Sequence, residues 1–362
     1  MKLIFDNIIF SLQHHGGVSV VWHELYKRFL TDPDFDIFFL KFDKYNSLGK
    51  ILEDDFVKFI DNNLKSLPIK IQRYLNPTIG IKDKGIFHSS YYRTTSGSNL
   101  SNITTIHDFT YEYYVEGLAK TVHNFQKIKA ARKSKKIICV STNTKIDLLK
   151  FCPQINENDV EVVFNGVSEI YKPIIAMNYE LSRLIPFSKR EYVLYVGDRR
   201  SDYKNFRMAV EACGISKVPL VIVGGGVLTT KEIELLNSLI GFQNYKSLTG
   251  ISNSDLNLLY NCAAFLLYPT IYEGFGIPII EAQRSGCPVI TSNYSSIPEV
   301  AGHGAFLISD ITAHKISEII TQAKSRSAFC SEIVENGYVN SQKYSWEKCY
   351  QDTKKVYLFT DI

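Results

Sequence analysis

Residues 268–290 read YPTIYEGFGIPIIEAQRSGCPVI. The apolar run that begins upstream, CAAFLLYP at 262–269, ends at a turn that places Glu273 beside the glycines Gly274 and Gly276. Pro278 then suits the first turn of a helix, where its missing N–H has no partner to lose, and Gly286 suits the position just past the helix end. Glu273 therefore falls before the helix and Glu281 inside it. A second β-branched run, CPVITSN at 287–293, follows directly. Strand, glycine turn, short helix and strand together make the repeating unit of a parallel α/β sheet.

Runs of the same kind occupy both halves of the chain. Before residue 170 they are KLIFDNIIF, DIFFLKF, GIFHSSY, NITTIHD, KIICVS and VEVVFNG; after residue 190 they are YVLYVG, PLVIVGG, NYKSLTG, CAAFLLYP, CPVITSN and GAFLI. Most are separated by segments of helical periodicity, of which SDLNLLYNCA is one. Buried strands alternating with helices imply parallel sheets covered on both faces, here twice over, with a polar join near YKPIIAMNYELSRLIPFSKRE at 171–191. At 362 residues the chain also exceeds what a single core fills. The expected fold is α/β, two Rossmann-like domains at 1–170 and 171–343 facing an interdomain cleft. The tail YSWEKCYQDTKKVYLF, in 344–362, is expected to form a closing helix whose packing partner the sequence does not name.

Composition narrows the function. Lys and Arg number 41 against 37 Asp and Glu, and a net charge of +4 is too weak a bias to argue for nucleic acid. Seven scattered cysteines with no CxxC pair read as buried, reduced thiols. The N-terminal MKLIFDNIIFSLQHHGG carries an aspartate inside its apolar run and no small-residue cleavage site, and no apolar run reaches spanning length. A cytoplasmic protein is the expectation. No His/Cys/Asp cluster has metal-ligand spacing, and LVIVGGG lacks both the third glycine and the following acidic residue of a dinucleotide fingerprint. Metal-independent chemistry without a cofactor is expected.

In parallel sheets ligands bind beyond the carboxyl ends of the strands, which singles out His107, Lys204 and Glu273. The turn through Gly274, Phe275 and Gly276 lets backbone N–H groups approach a ligand closely, and the helix start behind it favours a phosphate. A carboxylate in the turn and another in the helix can each accept from hydroxyls on either side of that phosphate. Sugar, diphosphate and ribose in a nucleotide sugar have that layout.

Glu273 and Glu281, with seven residues between them in YEGFGIPIIEAQRSGCPVITS, resemble the signature of retaining glycosyltransferases of family 4, which have the GT-B fold. GGVSVVWHEL, TIHDFTYE, IICVSTNTKIDL, NGVSEIYKP, VGDRRSDYKNF, VIVGGG, LTGISNSDLNLLY and SSIPEVAG resemble further blocks of that family in the expected order. The resemblance implies that the N-terminal domain is the acceptor side and the C-terminal domain binds the nucleotide sugar. It places Glu281 on the donor ribose and Glu273 on the donor sugar, with Gly274, Phe275, Gly276 and Ile277 supplying backbone contacts. His107 would contact the sugar near the reacting centre. Asp108 reads as a turn or cap residue. Gly16 and Gly17, preceded by His14 and His15, resemble the family's N-terminal glycine loop beside the diphosphate.

Where the family usually shows Arg-Lys-Asn, this chain has Tyr203, Lys204 and Asn205. Lys204 keeps a point charge for the leaving phosphate, while the arginine's fork is missing at its usual place. Arg199 or Arg200 is the candidate replacement. Tyr91, Tyr92 and Arg93, after the GIFHSSY strand, are candidates for the acceptor site, with packing the alternative for at least one tyrosine. Residues 117–146 carry eight Lys or Arg and no acid, among them Lys127, Lys129, Arg132 and Lys133. That stretch suits either a peripheral contact with an anionic membrane, where a lipid-linked acceptor would sit, or a solvated helix face.

The expected activity is transfer of a sugar from a nucleoside diphosphate sugar to a saccharide or lipid-linked saccharide acceptor in polysaccharide or glycoconjugate assembly. Two rivals share the fold: a sugar-nucleotide epimerase, which needs no acceptor, and a non-catalytic saccharide-binding protein, which Tyr203 in place of arginine makes conceivable.

Overall fold

The computed structural model describes residues 1–13, 16–96, 99–175, 178–325 and 327–361. It contains two compact units, one formed by Met1–Gly166 with Trp346–Ile362 and the other by Val167–Ser345. Each is built on a parallel sheet.

In the first unit β1 (Lys2–Asp6), β2 (Asp36–Leu40), β3 (Lys58–Ile60), β4 (Gly85–Ser89), β5 (Leu100–Ile106), β6 (Lys136–Cys139) and β7 (Val160–Val162) lie in the order β3-β2-β1-β4-β5-β6-β7. Six of these arise from the apolar runs. The seventh, β3, is three residues long with mostly exposed side chains at the sheet's edge, so no apolar run marks it. The first run is shorter than its composition suggests. Its strand stops at Asp6, and Ile9–Leu12 turns into a short helix that buries Ile9 and Phe10.

The helix Gly17–Phe29 sends Val21, Trp22, Leu25, Tyr26 and Phe29 into the core at helical spacing. There Phe5 of β1 meets Trp22, Tyr26, Phe29 and Phe39. The closing helix, Trp346–Leu358, packs on this same unit. Tyr357, fully buried, lies 5.2 Å from Phe29 between ring centroids and hydrogen-bonds His88 Nδ1 at 2.7 Å, while Lys354 pairs with Asp32 at 2.8 Å.

The second unit contains β8 (Val193–Val196), β9 (Leu220–Val223), β10 (Tyr245–Leu248), β11 (Phe265–Tyr268), β12 (Val289–Ser292) and β13 (Phe306–Ile308), in the order β10-β9-β8-β11-β12-β13. The order reverses between β8 and β11. A reversal sends the connections from the two neighbouring strands to opposite faces, and the loops part to leave a ligand crevice at the carboxyl edge. Two parallel-sheet units in one chain agree with the α/β architecture expected from the runs.

Tyr357→Ala should lower the stability of the first unit by about 3–5 kcal/mol, as for other large buried aromatics. Tyr357→Phe should cost only about 1–2 kcal/mol by stranding the His88 nitrogen. Urea unfolding followed by tryptophan fluorescence, with Trp22 in that core, measures both.

Candidate active site

The loops after β8 and β11 are tied together by backbone groups. The Tyr203 carbonyl accepts from the Ile271 N–H at 2.9 Å and from the Thr270 hydroxyl at 3.3 Å, and the Asn205 amide donates to the Pro269 carbonyl at 2.8 Å. Asn205 adopts a left-handed conformation, φ +52°, which asparagine tolerates better than most residues. Between these ties Lys204 Nζ meets Glu273 Oε1 at 2.6 Å, with both side chains about 15% exposed. Gly276, at φ +100°, closes the turn with a backbone conformation that suits glycine, and the helix Ile277–Arg284 begins with Pro278 in its first turn. Phe275 is buried, its ring 5.6 Å from that of Tyr344.

Glu281, one helical stretch further on, has different company. Tyr260 donates to its Oε2 at 3.0 Å, and the Tyr171 hydroxyl, which donates to Asn253 Oδ1 at 3.4 Å, lies beside it. No cation is among the groups that perturb it. Removal from water pushes its carboxyl up to about 7, and the two hydroxyls only partly offset that. Neither tyrosine was legible as a site residue, because the pairing is made by tertiary packing; the one local trace is Tyr260 closing the helical pattern of SDLNLLY.

The arginines divide the work differently from expectation. Arg199 is completely buried at its side chain, with Nε 2.8 Å from Glu232 Oε1. Its Nη1 donates to the Gly224 carbonyl and its Nη2 to the Gly226 carbonyl at 3.0 Å. Glu232 in turn receives the Thr229 N–H at 2.7 Å in a capping box. Arg199 thus directs its hydrogen bonds to the triple-glycine loop after β9 and to Glu232, a structural use that the sequence reading of a donor-binding arginine did not anticipate. Exposed Arg200 donates to the Gly225 carbonyl at 2.9 Å.

In the first unit His107 follows β5. Its Nε2 is buried without a protein partner, and burial pushes the imidazole down to about 4, so it is neutral at pH 7. Asp108 accepts from the Thr110 N–H at 2.9 Å as a turn residue. Gly16 and Gly17 begin the helix Gly17–Phe29; a Cβ at Gly17 would meet nothing, so packing does not explain that glycine. His14 and His15 lie outside the described residues. Tyr91 receives a hydrogen bond from Arg73, whose guanidinium lies over its ring at 4.9 Å, while Tyr92 is buried. Arg93 is fully buried, its Nε 3.1 Å from the equally buried Asp6. It forms a core ion pair with no exposed surface, a setting that counts against the expected acceptor role. Lys127 is likewise buried, bonding Glu112 and the Asp108 carbonyl at 2.8 Å each, so the basic stretch is less exposed than its composition implies.

Residues 180–340 match the family model for glycosyl transferases group 1. O-antigen chain mannosyltransferase B of Escherichia coli is 30% identical over 178 residues, covering 46% of this chain and 45% of that protein. The chain thus spans less than half the length of the first curated relatives it matches. An uncharacterized glycosyltransferase of Methanocaldococcus jannaschii is 25% identical across 99% of this chain and 98% of its own. Among solved structures, HepE of Anabaena in complex with UDP aligns over 98% of both chains at TM-score 0.72 and 15% identity. WaaG, a glycosyltransferase involved in lipopolysaccharide biosynthesis, aligns over 99% of this chain and all of its own at TM-score 0.70 and 13% identity.

The Glu281 environment yields a pH dependence. Its carboxyl binds a proton more tightly when folded than at the ordinary value of 4.5, so this group's contribution to stability is full below 4.5 and is lost as pH rises to about 7. Glu281→Gln should remove that slope, gaining stability relative to the parent at pH 8 and not at pH 4.5. Thermal unfolding at both pH values measures the difference; equal slopes in the two proteins would show that the carboxyl is well hydrated.

Proposed function

We propose that the chain is a retaining, metal-independent glycosyltransferase that moves a sugar from a nucleoside diphosphate sugar to a saccharide or lipid-linked saccharide acceptor during glycan assembly. The observation that carries this reading is the meeting of Lys204 and Glu273 at the strand-order reversal of the second sheet, inside the segment matching glycosyl transferases group 1. The family 4 resemblance adds the retaining outcome. Relatives named O-antigen mannosyltransferases favour mannose as the sugar and a growing polysaccharide as the acceptor.

In this reading the leaving diphosphate sits by Lys204 and the helix start at Ile277, which stabilise its growing charge. The anomeric carbon becomes oxocarbenium-like as the bond breaks. Glu273 and the unpartnered His107 Nε2 act on the donor sugar, the histidine as a neutral hydrogen-bonding group. Glu281 holds the ribose hydroxyls, and Gly16 and Gly17 leave room beside the diphosphate. Tyr91 remains the acceptor-side candidate.

A membrane contact is part of the proposal. On the helix Leu118–Lys133, Leu118, Val122 and Phe125 are exposed at i, i+4 and i+7 and lead into exposed Lys129, Arg132 and Lys133. Apolar side chains beside cations suit an anionic bilayer surface. Among the described residues no helix is long and apolar enough to cross a membrane.

Nucleotide release from GDP-mannose and UDP-glucose, with and without a polysaccharide acceptor extract, tests the activity. Product formation should need the acceptor and survive EDTA; epimerised nucleotide sugar without acceptor would overturn transfer as the reaction. His107→Ala and Glu273→Ala should each lower kcat by about a hundredfold or more, whereas Glu281→Ala should chiefly raise donor KM. Lys204→Ala should damage both.

The membrane contact has its own test. Reversing Lys129, Arg132 and Lys133 to glutamate should release the protein from phosphatidylserine vesicles at low salt while soluble-acceptor activity persists. Lys127 is left intact because its buried pair supports the fold.

A further inference from the structure

Ser295 has φ +54° although it is not glycine. In that region Cβ crowds the following carbonyl oxygen, and residues held there point to a role that the surrounding structure enforces. Its hydroxyl shows what is gained. Oγ accepts from the Glu273 N–H at 2.9 Å and from the Ser296 N–H at 2.6 Å, and it donates to the Glu273 carbonyl at 2.7 Å. A serine hydroxyl has one donor and two acceptor sites, and all three are used inward. Two of them close both backbone groups of a single residue, Glu273.

Ser296, fully buried, adds a bond to the Glu273 carbonyl at 2.8 Å and reaches the Phe275 carbonyl at 3.1 Å. The segment after β12 therefore fixes the turn after β11, whose carboxylate meets Lys204 at 2.6 Å. Glycine would occupy φ +54° without strain, but it carries no hydroxyl.

We propose that Ser295 is a positioning residue. Its hydroxyl sets the Glu273 backbone, and through it the direction in which the carboxylate meets Lys204 and the donor. The left-handed strain is retained for that hydroxyl. The catalytic part of this inference rests on the role proposed above for Glu273; the positional part does not.

Ser295→Gly separates strain from hydroxyl. Relief of the strain and loss of the hydroxyl's hydrogen bonds oppose each other, so the variant should fold and unfold within a few degrees of the parent. Amide exchange at Glu273 should nevertheless accelerate by about tenfold or more as its N–H loses its partner. Unchanged exchange would overturn the positional role whatever the activity.

With GDP-mannose or UDP-glucose, whichever the parent turns over, Ser295→Gly should lower kcat by about tenfold or more and leave donor KM within about threefold. Combined with Glu273→Gln, it should add little further loss, because both changes act through one group. Full additivity, or a parent-like kcat in a folded Ser295→Gly protein, would overturn the catalytic part. A parent-like kcat in Glu273→Gln alone would instead remove the proposed role of Glu273 and leave the exchange result standing.

Discussion

A parallel sheet delivers every strand's carboxyl end to one edge, and the reversal of order between β8 and β11 opens that edge at a single place. The rest of the second unit is arranged around this constraint. Lys204 comes from the loop after β8 and Glu273 from the loop after β11, so the two neighbours at the reversal each contribute one charge. Their meeting at 2.6 Å with little exposure removes both from water, a step that is tolerable only if each satisfies the other. The backbone ties through Tyr203, Asn205 and Thr270 hold the loops at the required separation. Position 203 thus contributes its carbonyl to the frame.

Arg199 shows how far a residue's chemistry can be read from its place in a chain. A guanidinium just past a strand end looks like a phosphate ligand, and the carboxyl edge is where ligands bind. What decides its role is the neighbouring strand. β9 is followed by Gly224, Gly225 and Gly226, all with positive φ, and such a loop turns its carbonyls in directions that need donors. Arg199 supplies them to Gly224 and Gly226, and Glu232 neutralises it. A Cβ at Gly225 would come within 2.8 Å of the Arg199 Nη1, so loop and arginine depend on each other. Only the pairing of β8 with β9 brings them together, and strand pairing is absent from the local sequence.

The same distinction runs through the whole molecule. All strands with a continuous apolar run were legible, because burial on both faces of a parallel sheet demands such runs. β3, exposed at the edge, was not. Glu273, Glu281, Gly276 and Pro278 were legible because their spacing is local to one turn and one helix. The fates of Arg93 and Lys127 were not: each long cation is drawn inward by a carboxylate distant in sequence or a turn away, Asp6 in one case and Glu112 in the other. Composition counts such cations as surface charge. On the helix Leu118–Lys133 the burial of Lys127 leaves Leu118, Val122 and Phe125 among the exposed residues, although composition alone assigns them to a core.

The two carboxyls of the defining stretch end in unlike surroundings, and the physical difference follows from the helix between them. Glu273 precedes Ile277–Arg284 and lies in the turn, where Lys204 can reach it and Ser295 can grip its backbone. Glu281 lies within the helix and faces Tyr260 and Tyr171, which offer hydroxyls and no charge. A carboxylate held by a cation suits a place beside developing charge. A carboxyl bonded by a tyrosine hydroxyl and facing no cation suits the exchange of one hydroxyl partner for another, and the ribose proposed for this site would bring such partners. The glycine turn separates these environments by fixing where the helix starts, and the left-handed Ser295 keeps that turn in place from the adjoining strand.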